Sequence, residues 1–459
     1  MAAQLSLRCP NVRIRPSCGQ DFHLLNKPFS VLSAQGVKPK LITTLEDYSW
    51  RLLGGDVIAG VTVALVALPL SIAIAIASGA APQAGLVTAI IGGFLISMLG
   101  GSRVQIGGPT GAFIVVVAGV IEQYGFDGLL LATLMAGIIL VAAGLVRAGR
   151  FVALVPEPVI EGFTVGIALI IAVSQLKDLL GLSAVHVPAD LIHGLPALWG
   201  ARSGVNLTAL VVGVLSIAGI AVLRHWVPWF PGSLLVIAGA SAAVALVPLP
   251  VETIFSRFGA LPSGLPTPSL PPISVARISE LLPSAFVIAF LAAVESLLSA
   301  IVADRMIAGP HRSGAELLAQ GAANIVSPLF GGLPATGAIA RTATNVRAGG
   351  KTPVAGLVHA ATILLFSVAA APLAGYLAMP ALAGLLILTA WLMSEPTRWG
   401  ERMRLPAGDR TLFLMTMILT VASNLTIAIG VGTAAGLALR LWRRQAEPEP
   451  WSPADRSKL

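Results

Sequence analysis

Apolar runs of 18 or more residues recur along the chain from Leu52 to Leu441. Each is long enough to cross a hydrocarbon core of about 30 Å as a helix. The pattern predicts first-half spans over 54–76, 83–100, 109–121, 128–146, 152–176, 206–222 and 233–248. After a Pro-rich connection from Pro248 to Pro272, it predicts a second set over 282–303, 314–329, 335–346, 353–370, 374–394, 409–423 and 425–441. The chain therefore divides into a tail (1–50), a first seven-span repeat (51–250), an external connection (251–281), a second seven-span repeat (282–442) and a closing tail (443–459). The expected fold class is an all-α polytopic membrane protein of about 14 transmembrane segments.

Basic residues test that count, because Lys and Arg in short loops collect on the cytoplasmic side. With both termini inside, only Lys177, Arg202, Arg257 and Arg277 of the 29 basic residues fall outside, and Arg341 lies within a span. An odd number of spans would destroy this separation. Seven spans per half start the second half from the opposite face, so the halves are expected to be inverted repeats.

Composition agrees. The chain is 56% hydrophobic and 11% charged, against about 25% charged in an ordinary soluble domain, and its mean hydropathy is +0.87. Residues 1–45 hold no apolar core of the kind a secretory signal needs, so they read as a cytoplasmic tail. Cys9 and Cys18 lie in this polar tail with no metal-ligand cluster around them. The net charge of +8 follows loop topology; with no interleaved basic and aromatic surface, it points to anionic lipid rather than nucleic acid.

One phrase occurs twice, 226 residues apart: Gly108-Pro109-Thr110-Gly111-Ala112 and Pro334-Ala335-Thr336-Gly337-Ala338. Pro/Gly-interrupted apolar segments at matching places in two halves mark facing half-helices around a binding site in transporters. In the inverted topology the segment at Pro109 enters from the cytoplasmic side and that at Pro334 from outside, so their N-termini are expected to meet near the midplane. A helix N-terminus carries unpaired N–H groups and roughly +0.5 charge, and two facing ones make an anion site. Pro109 and Pro334 suit helix starts, Gly108, Gly111 and Gly337 admit close backbone approach, and Thr110 and Thr336 offer hydroxyls. Tight helix packing without a ligand is the competing explanation for either copy by itself.

Ionisable residues within apolar spans are functional candidates by default, and Glu295 and Arg341 lie deepest. Ser299, one turn beyond Glu295, shares its helix face, and Arg341 lies one turn beyond Gly337. Two readings stay open. Glu295 and Arg341 form an ion pair that fixes packing, or protonation of Glu295 frees Arg341 for an anion and couples uptake to H+. Asp56, Glu157, Glu161, Asp304 and Glu316 fall near span ends and read as helix-end or gating contacts. The six histidines, His186 and His193 in an external loop among them, show no paired ligand spacing. Gly350-Lys351-Thr352 lacks the glycine a phosphate-binding loop needs six residues before its lysine, where Asn345 stands. Neither a cofactor nor a catalytic constellation is expected, and the chain does not read as an enzyme.

At these residues the chain resembles the SulP family, or solute carrier family 26, of anion transporters. The resemblance runs through Asp56-Val57-Ile58-Ala59-Gly60, Leu68-Pro69-Leu70-Ser71, Gly101-Ser102-Arg103, Ile160-Glu161-Gly162-Phe163-Thr164-Val165-Gly166 and Ser174-Gln175-Leu176-Lys177. It continues through Glu295 with Ser299 and through Pro334-Ala335-Thr336-Gly337-Ala338-Ile339-Ala340-Arg341-Thr342, where Arg341 takes the place of the basic residue near the family's central anion site. It implies two inverted seven-helix repeats, a core domain moving against a gate domain, a homodimer in a bacterial inner membrane, and a small inorganic or organic anion (sulfate, bicarbonate or C4-dicarboxylate) as substrate. Bacterial members sharing the second stretch resemble proton-coupled carriers. Sodium-coupled bicarbonate members place Asp and Thr at 295 and 299 and Thr at 339, where this chain has Glu295, Ser299 and Ile339, which argues against a sodium site. The family's usual STAS domain is not expected in 443–459. A channel-like or exchange-only carrier of the same fold and a nucleobase permease are the alternatives.

Overall fold

A computed structural model describes residues 38–46, 48–147, 155–182, 191–227, 231–307, 309–422 and 425–442. Cys9, Cys18, His186 and the tail 443–459 lie outside them. The described chain is helical, and seven helices are long and apolar enough to cross a membrane. They are α1 (Trp50–Ala77), α2 (Pro82–Leu99), α3 (Gly111–Leu145), α4 (Glu157–Leu179), α5 (Leu207–Trp226), α7 (Val275–Ile307) and α11 (Met379–Met403). The main shorter helices are α6 (Gly232–Leu246), α8 (Ser313–Val326), α9 (Ile339–Arg347), α10 (Val354–Ala369), α12 (Ala407–Ala422) and α13 (Leu425–Trp442).

The predicted third and fourth spans run together as α3, interrupted at Gly125, whose φ of 72° and ψ of 177° no other residue type adopts readily. The span expected over 335–346 is a half-helix. With nine residues, α9 rises only about 14 Å, less than half of the hydrocarbon core. The Pro-rich connection is not featureless: Thr253 caps a short helix, Ile254–Phe258, and pairs with Ala378. Beside it, Arg257 joins Asp178 at 2.7 Å and Glu252.

Two packing groups are evident. In one, α3 lies against α7 and α8, and α1 against α10; in the other, α4 lies against α12 and α11, and α5 against α11 and α6. Small residues bring the backbones together, as is usual where lipid removes the hydrophobic drive for association. A Cβ at Gly137 would lie 2.7 Å from the Asn324 backbone, and one at Gly166 would lie 2.7 Å from Thr420.

The only strands among the described residues are two dipeptides. β1 (Gly107–Gly108) pairs antiparallel with β2 (Thr336–Gly337), in the register Gly107 to Gly337 and Gly108 to Thr336. The two copies of the repeated phrase are therefore hydrogen-bonded to each other, a join between halves that preserves backbone pairing where two helices are broken. Side chains hold β2 in place. Asn324 of α8 accepts from Ala335 N at 2.9 Å and donates to Ala335 O at 2.8 Å, and Thr88 of α2 accepts from Leu333 N at 2.6 Å. Thr88 opens a π-helical turn, Thr88–Gly92, whose Gly92 rests on Ala335. Asn324→Ala would strand both Ala335 groups in the interior, at about 1–3 kcal/mol for each unsatisfied group. Its thermal midpoint in detergent is expected to fall clearly below that of the wild type; an equal midpoint would mean that β2 does not depend on this amide.

Candidate functional site

The site is built where β1 and β2 hand the chain to α3 and α9. Thr110 precedes the first turn of α3 and Ala338 that of α9, and neither side chain caps its helix. The first intrahelical bonds are Phe113 N to Thr110 O at 3.2 Å and Thr342 N to Ala338 O at 2.9 Å. The amides of Gly111 and Ala112, and of Ile339, Ala340 and Arg341, belong to first turns and have no helical acceptor. Two positive helix ends thus lie across a two-residue ladder. Thr110, Gly111, Glu295, Ile339 and Ala340 keep accessible surface, whereas Gly108, Pro109, Thr336, Gly337 and Ala338 are buried. From the other packing group, Ile171 of α4 and Met393 of α11 come close to Gly111.

Arg341 is 2% exposed. Its Nη2 donates to Ser71 Oγ and to Pro109 O, both at 3.0 Å, and its Nη1 has no partner. That nitrogen is directed at Gly108, where any Cβ would collide with it and where φ is +149°. Only glycine meets both conditions. A buried guanidinium with an idle donor is an incomplete arrangement, because buried charges are ordinarily paired. Neutral Ser71 and a carbonyl leave its charge uncompensated within the protein.

The Glu295 to Arg341 ion pair, one of the two readings open from the sequence, does not form. Glu295, on α7, instead accepts from Thr110 Oγ1 at 2.7 Å, so helical position located the carboxylate in depth but not in azimuth. Ser299 does not join it: its hydroxyl meets Thr342 Oγ1 at 3.2 Å and ties α7 to α9. Nor is Thr336 a free donor, since its hydroxyl is committed to Ala292 O at 3.1 Å. Gly337 is required by close approach, because a Cβ there would overlap the Gln105 amide.

The span-end carboxylates divide. Asp56 and Glu316, expected near water, are wholly buried. Asp56 accepts from Tyr48 Oη at 3.0 Å, Lys351 N at 2.9 Å and Thr352 N at 3.2 Å. Burial, with the charge of Asp56, pushes the Tyr48 phenol up to about 12, so it stays a donor at neutral pH. Glu316 accepts from Gly101 N at 3.0 Å, and from Ser296 Oγ and Gln320 Nε2 at 2.9 Å each. Ser296 in turn accepts from Gln105 Nε2 at 3.0 Å, which sets the side chain behind Gly337. Asp304 pairs with His311 at 2.7 Å. Glu161 joins Arg398 at 2.8 Å and Arg402 at 3.3 Å, with Glu395 bridging both arginines, and this cluster fastens α4 to the segment after Met393. Ser71, Gln105, Ser296, Asn324 and His359 were not singled out from the sequence; for all but Gln105, which lies between two predicted spans, the only signal is a polar residue inside an apolar span. Among the described residues no group of His, Cys, Asp and Glu is arranged to hold a metal ion.

The profile described as the sulfate permease family matches residues 53–416. "Putative sulfate transporter YvdB" of Bacillus subtilis (strain 168) is 41% identical over 388 residues, covering 84% of this chain and 73% of that protein. The solved transmembrane domain of a cyanobacterium bicarbonate transporter, BicA, superposes with a TM-score of 0.74 at 30% identity, over 85% of this chain and 98% of that one. The overall structure of SLC26A9 gives 0.81 at 17% identity, over 96% of this chain and 74% of that one, a likeness of fold alone. The chain belongs to the sulfate permease family, as an integral membrane protein with the inverted-repeat fold of the SulP and SLC26 anion transporters.

Proposed function

We propose that the chain is a secondary active transporter of a small anion of the sulfate, bicarbonate or C4-dicarboxylate class, driven by symport with H+ through alternating access. The observation that carries this reading is the buried Arg341 of α9, whose unpartnered Nη1 is directed at Gly108, three residues before the start of α3. Each helix end adds roughly half a positive charge, and Arg341 is buried, so the field on an anion beside it is stronger than in solution. A nucleobase, neutral at pH 7, would gain little from this arrangement. The names of YvdB and BicA, a sulfate and a bicarbonate transporter, agree with the anion class.

Glu295 supplies the coupling. The residue is half-buried, and its carboxylate accepts from Thr110, the residue that precedes α3. A bound anion and an ionised Glu295 repel each other, whereas protonation removes that repulsion, so anion and proton enter together. Sliding of the group containing α3 and α9 past the group containing α4 and α11, with Ile171 and Met393 at the seam, would expose the site to each side in turn. Both termini are placed in the cytoplasm, the membrane is the bacterial inner membrane, and the working unit is a homodimer in contact with anionic lipid.

Uptake of labelled sulfate, bicarbonate and succinate into proteoliposomes tests this. At least one anion should accumulate above its external concentration under an inward proton gradient. Uptake that only equilibrates would identify a channel or exchanger instead.

A further inference from the structure

Two openings adjoin at the outer end of the group that contains α4, α5, α6 and α11. One is a cavity of about 330 Å³ with charged residues in its wall: Asp178 at the end of α4, and Glu252 and Arg257 of the Pro-rich connection, beside Asn206 at the start of α5. The other is an apolar groove of about 700 Å³ between α5 and α6, lined by Leu207, Val211, Leu215, Val236, Gly239 and Ala240. Leu249 lines both, so the charged cavity opens beside the groove. Each lies in the range of about 300–1,000 Å³ that small-molecule sites occupy.

In the cavity two carboxylates share one guanidinium. Arg257 donates from Nη2 to Asp178 Oδ1 at 2.7 Å and to Glu252, and from Nε to Glu252 at 3.1 Å. Among the described residues nothing pairs with Arg257 Nη1 or with Asp178 Oδ2. The wall therefore presents a free cationic donor beside a free anionic acceptor, with one negative charge in excess. Its complement is a zwitterion whose positive end carries N–H donors. The surroundings fix the depth. Trp199, 71% exposed near the end of the helix Leu191–Gly200, carries Arg202 5.0 Å above its ring, as befits the headgroup level of a membrane. From there α5 turns Leu207 and Leu215, 73% and 65% exposed, toward the acyl chains.

We infer that the cavity and the groove together bind one phospholipid of the phosphatidylethanolamine type, with its ammonium on Asp178, its phosphate on Arg257 Nη1 and an acyl chain between α5 and α6. Phosphatidylglycerol brings no cation to Asp178, and the quaternary amine of phosphatidylcholine has no N–H to donate. A free zwitterion would leave the groove unfilled. In the topology proposed above the lipid belongs to the outer leaflet, apart from the anionic lipid drawn to the basic loops. It touches α4, α5, α6 and the connection within one packing group, so it braces that group and takes no part in the chemistry at Arg341.

The test is native mass spectrometry of the purified full chain, titrated with phosphatidylethanolamine, phosphatidylcholine and phosphatidylglycerol of identical acyl chains. The wild type should bind one phosphatidylethanolamine about tenfold more tightly than either of the others, the scale of one hydrogen bond to a charged group. Asp178→Asn keeps an acceptor for Arg257 but removes the charge, so the preference among the three lipids should vanish. Gly239→Leu fills the groove from a position whose Cβ meets nothing within 4 Å. It should weaken all three lipids while the thermal midpoint in detergent stays at that of the wild type. Should Asp178→Asn fail to fold, the three lipids on the wild type and on Gly239→Leu carry the test. Equal affinity of the wild type for all three, or undiminished phosphatidylethanolamine on Gly239→Leu, would overturn the inference. So would loss of a dimer in Gly239→Leu with bound lipid unchanged, which would assign the groove to a second copy of the chain.

Discussion

Arg341→Ala is expected to reduce anion binding and uptake by more than about 100-fold, the scale of losing a buried charge-assisted contact at 2–5 kcal/mol. The variant should nevertheless fold. In the anion-free protein the guanidinium is a buried charge held by one serine hydroxyl and one carbonyl, with Nη1 idle, and removing an uncompensated charge relieves a cost. The thermal midpoint without anion should therefore match or exceed that of the wild type, while the upward shift on adding anion disappears. This pairing distinguishes a ligand-binding arginine from a structural one, whose loss would lower the anion-free midpoint. Arg341→Lys should recover little, since a lysine ammonium cannot reach Ser71 and Pro109 while also presenting a second donor beside Gly108.

Glu295→Gln is expected to abolish proton-driven accumulation while leaving anion exchange between equally loaded compartments. The glutamine retains an acceptor for Thr110 Oγ1, so the 2.7 Å contact between α7 and the start of α3 survives, but it cannot ionise. A site fixed in its neutral form binds the anion with no proton to release. Accumulation under an inward proton gradient should drop to the equilibrium ratio at every pH. A variant that still concentrates anion would show that another group carries the proton.

Much of the architecture is legible in the chain because membrane spans are local features. Length and hydropathy locate the long helices, and the repeated Pro-Thr-Gly phrase marks where two of them break. The antiparallel register of Gly107–Gly108 on Thr336–Gly337 is a different matter, since it depends on α2 and α8 holding β2 from either side through Thr88 and Asn324. Contacts at such sequence separation leave no periodic trace. Arg341 stands out because a charge in an apolar span is conspicuous, whereas its partner Ser71 is an unremarkable serine two residues after Pro69. Asp56 and Glu316 are more buried than their places near span ends suggest, for a related reason. Hydropathy sets their depth near span ends, but the segments Lys351–Thr352 and Gly101 fold back over them with backbone donors and exclude water. His359 is uncharged in any hydropathy count, and only three-dimensional packing reveals that nothing satisfies it.

The proposed function requires an anion to complete the arrangement at Arg341. The most direct measurement is a high-resolution map of the purified protein saturated with whichever of sulfate, bicarbonate or succinate stabilises it most against heat. Density for the anion is expected within hydrogen-bond distance of Arg341 Nη1 and of first-turn amides of α3 and α9. An empty site under saturating anion, or density confined to another part of the molecule, would contradict it.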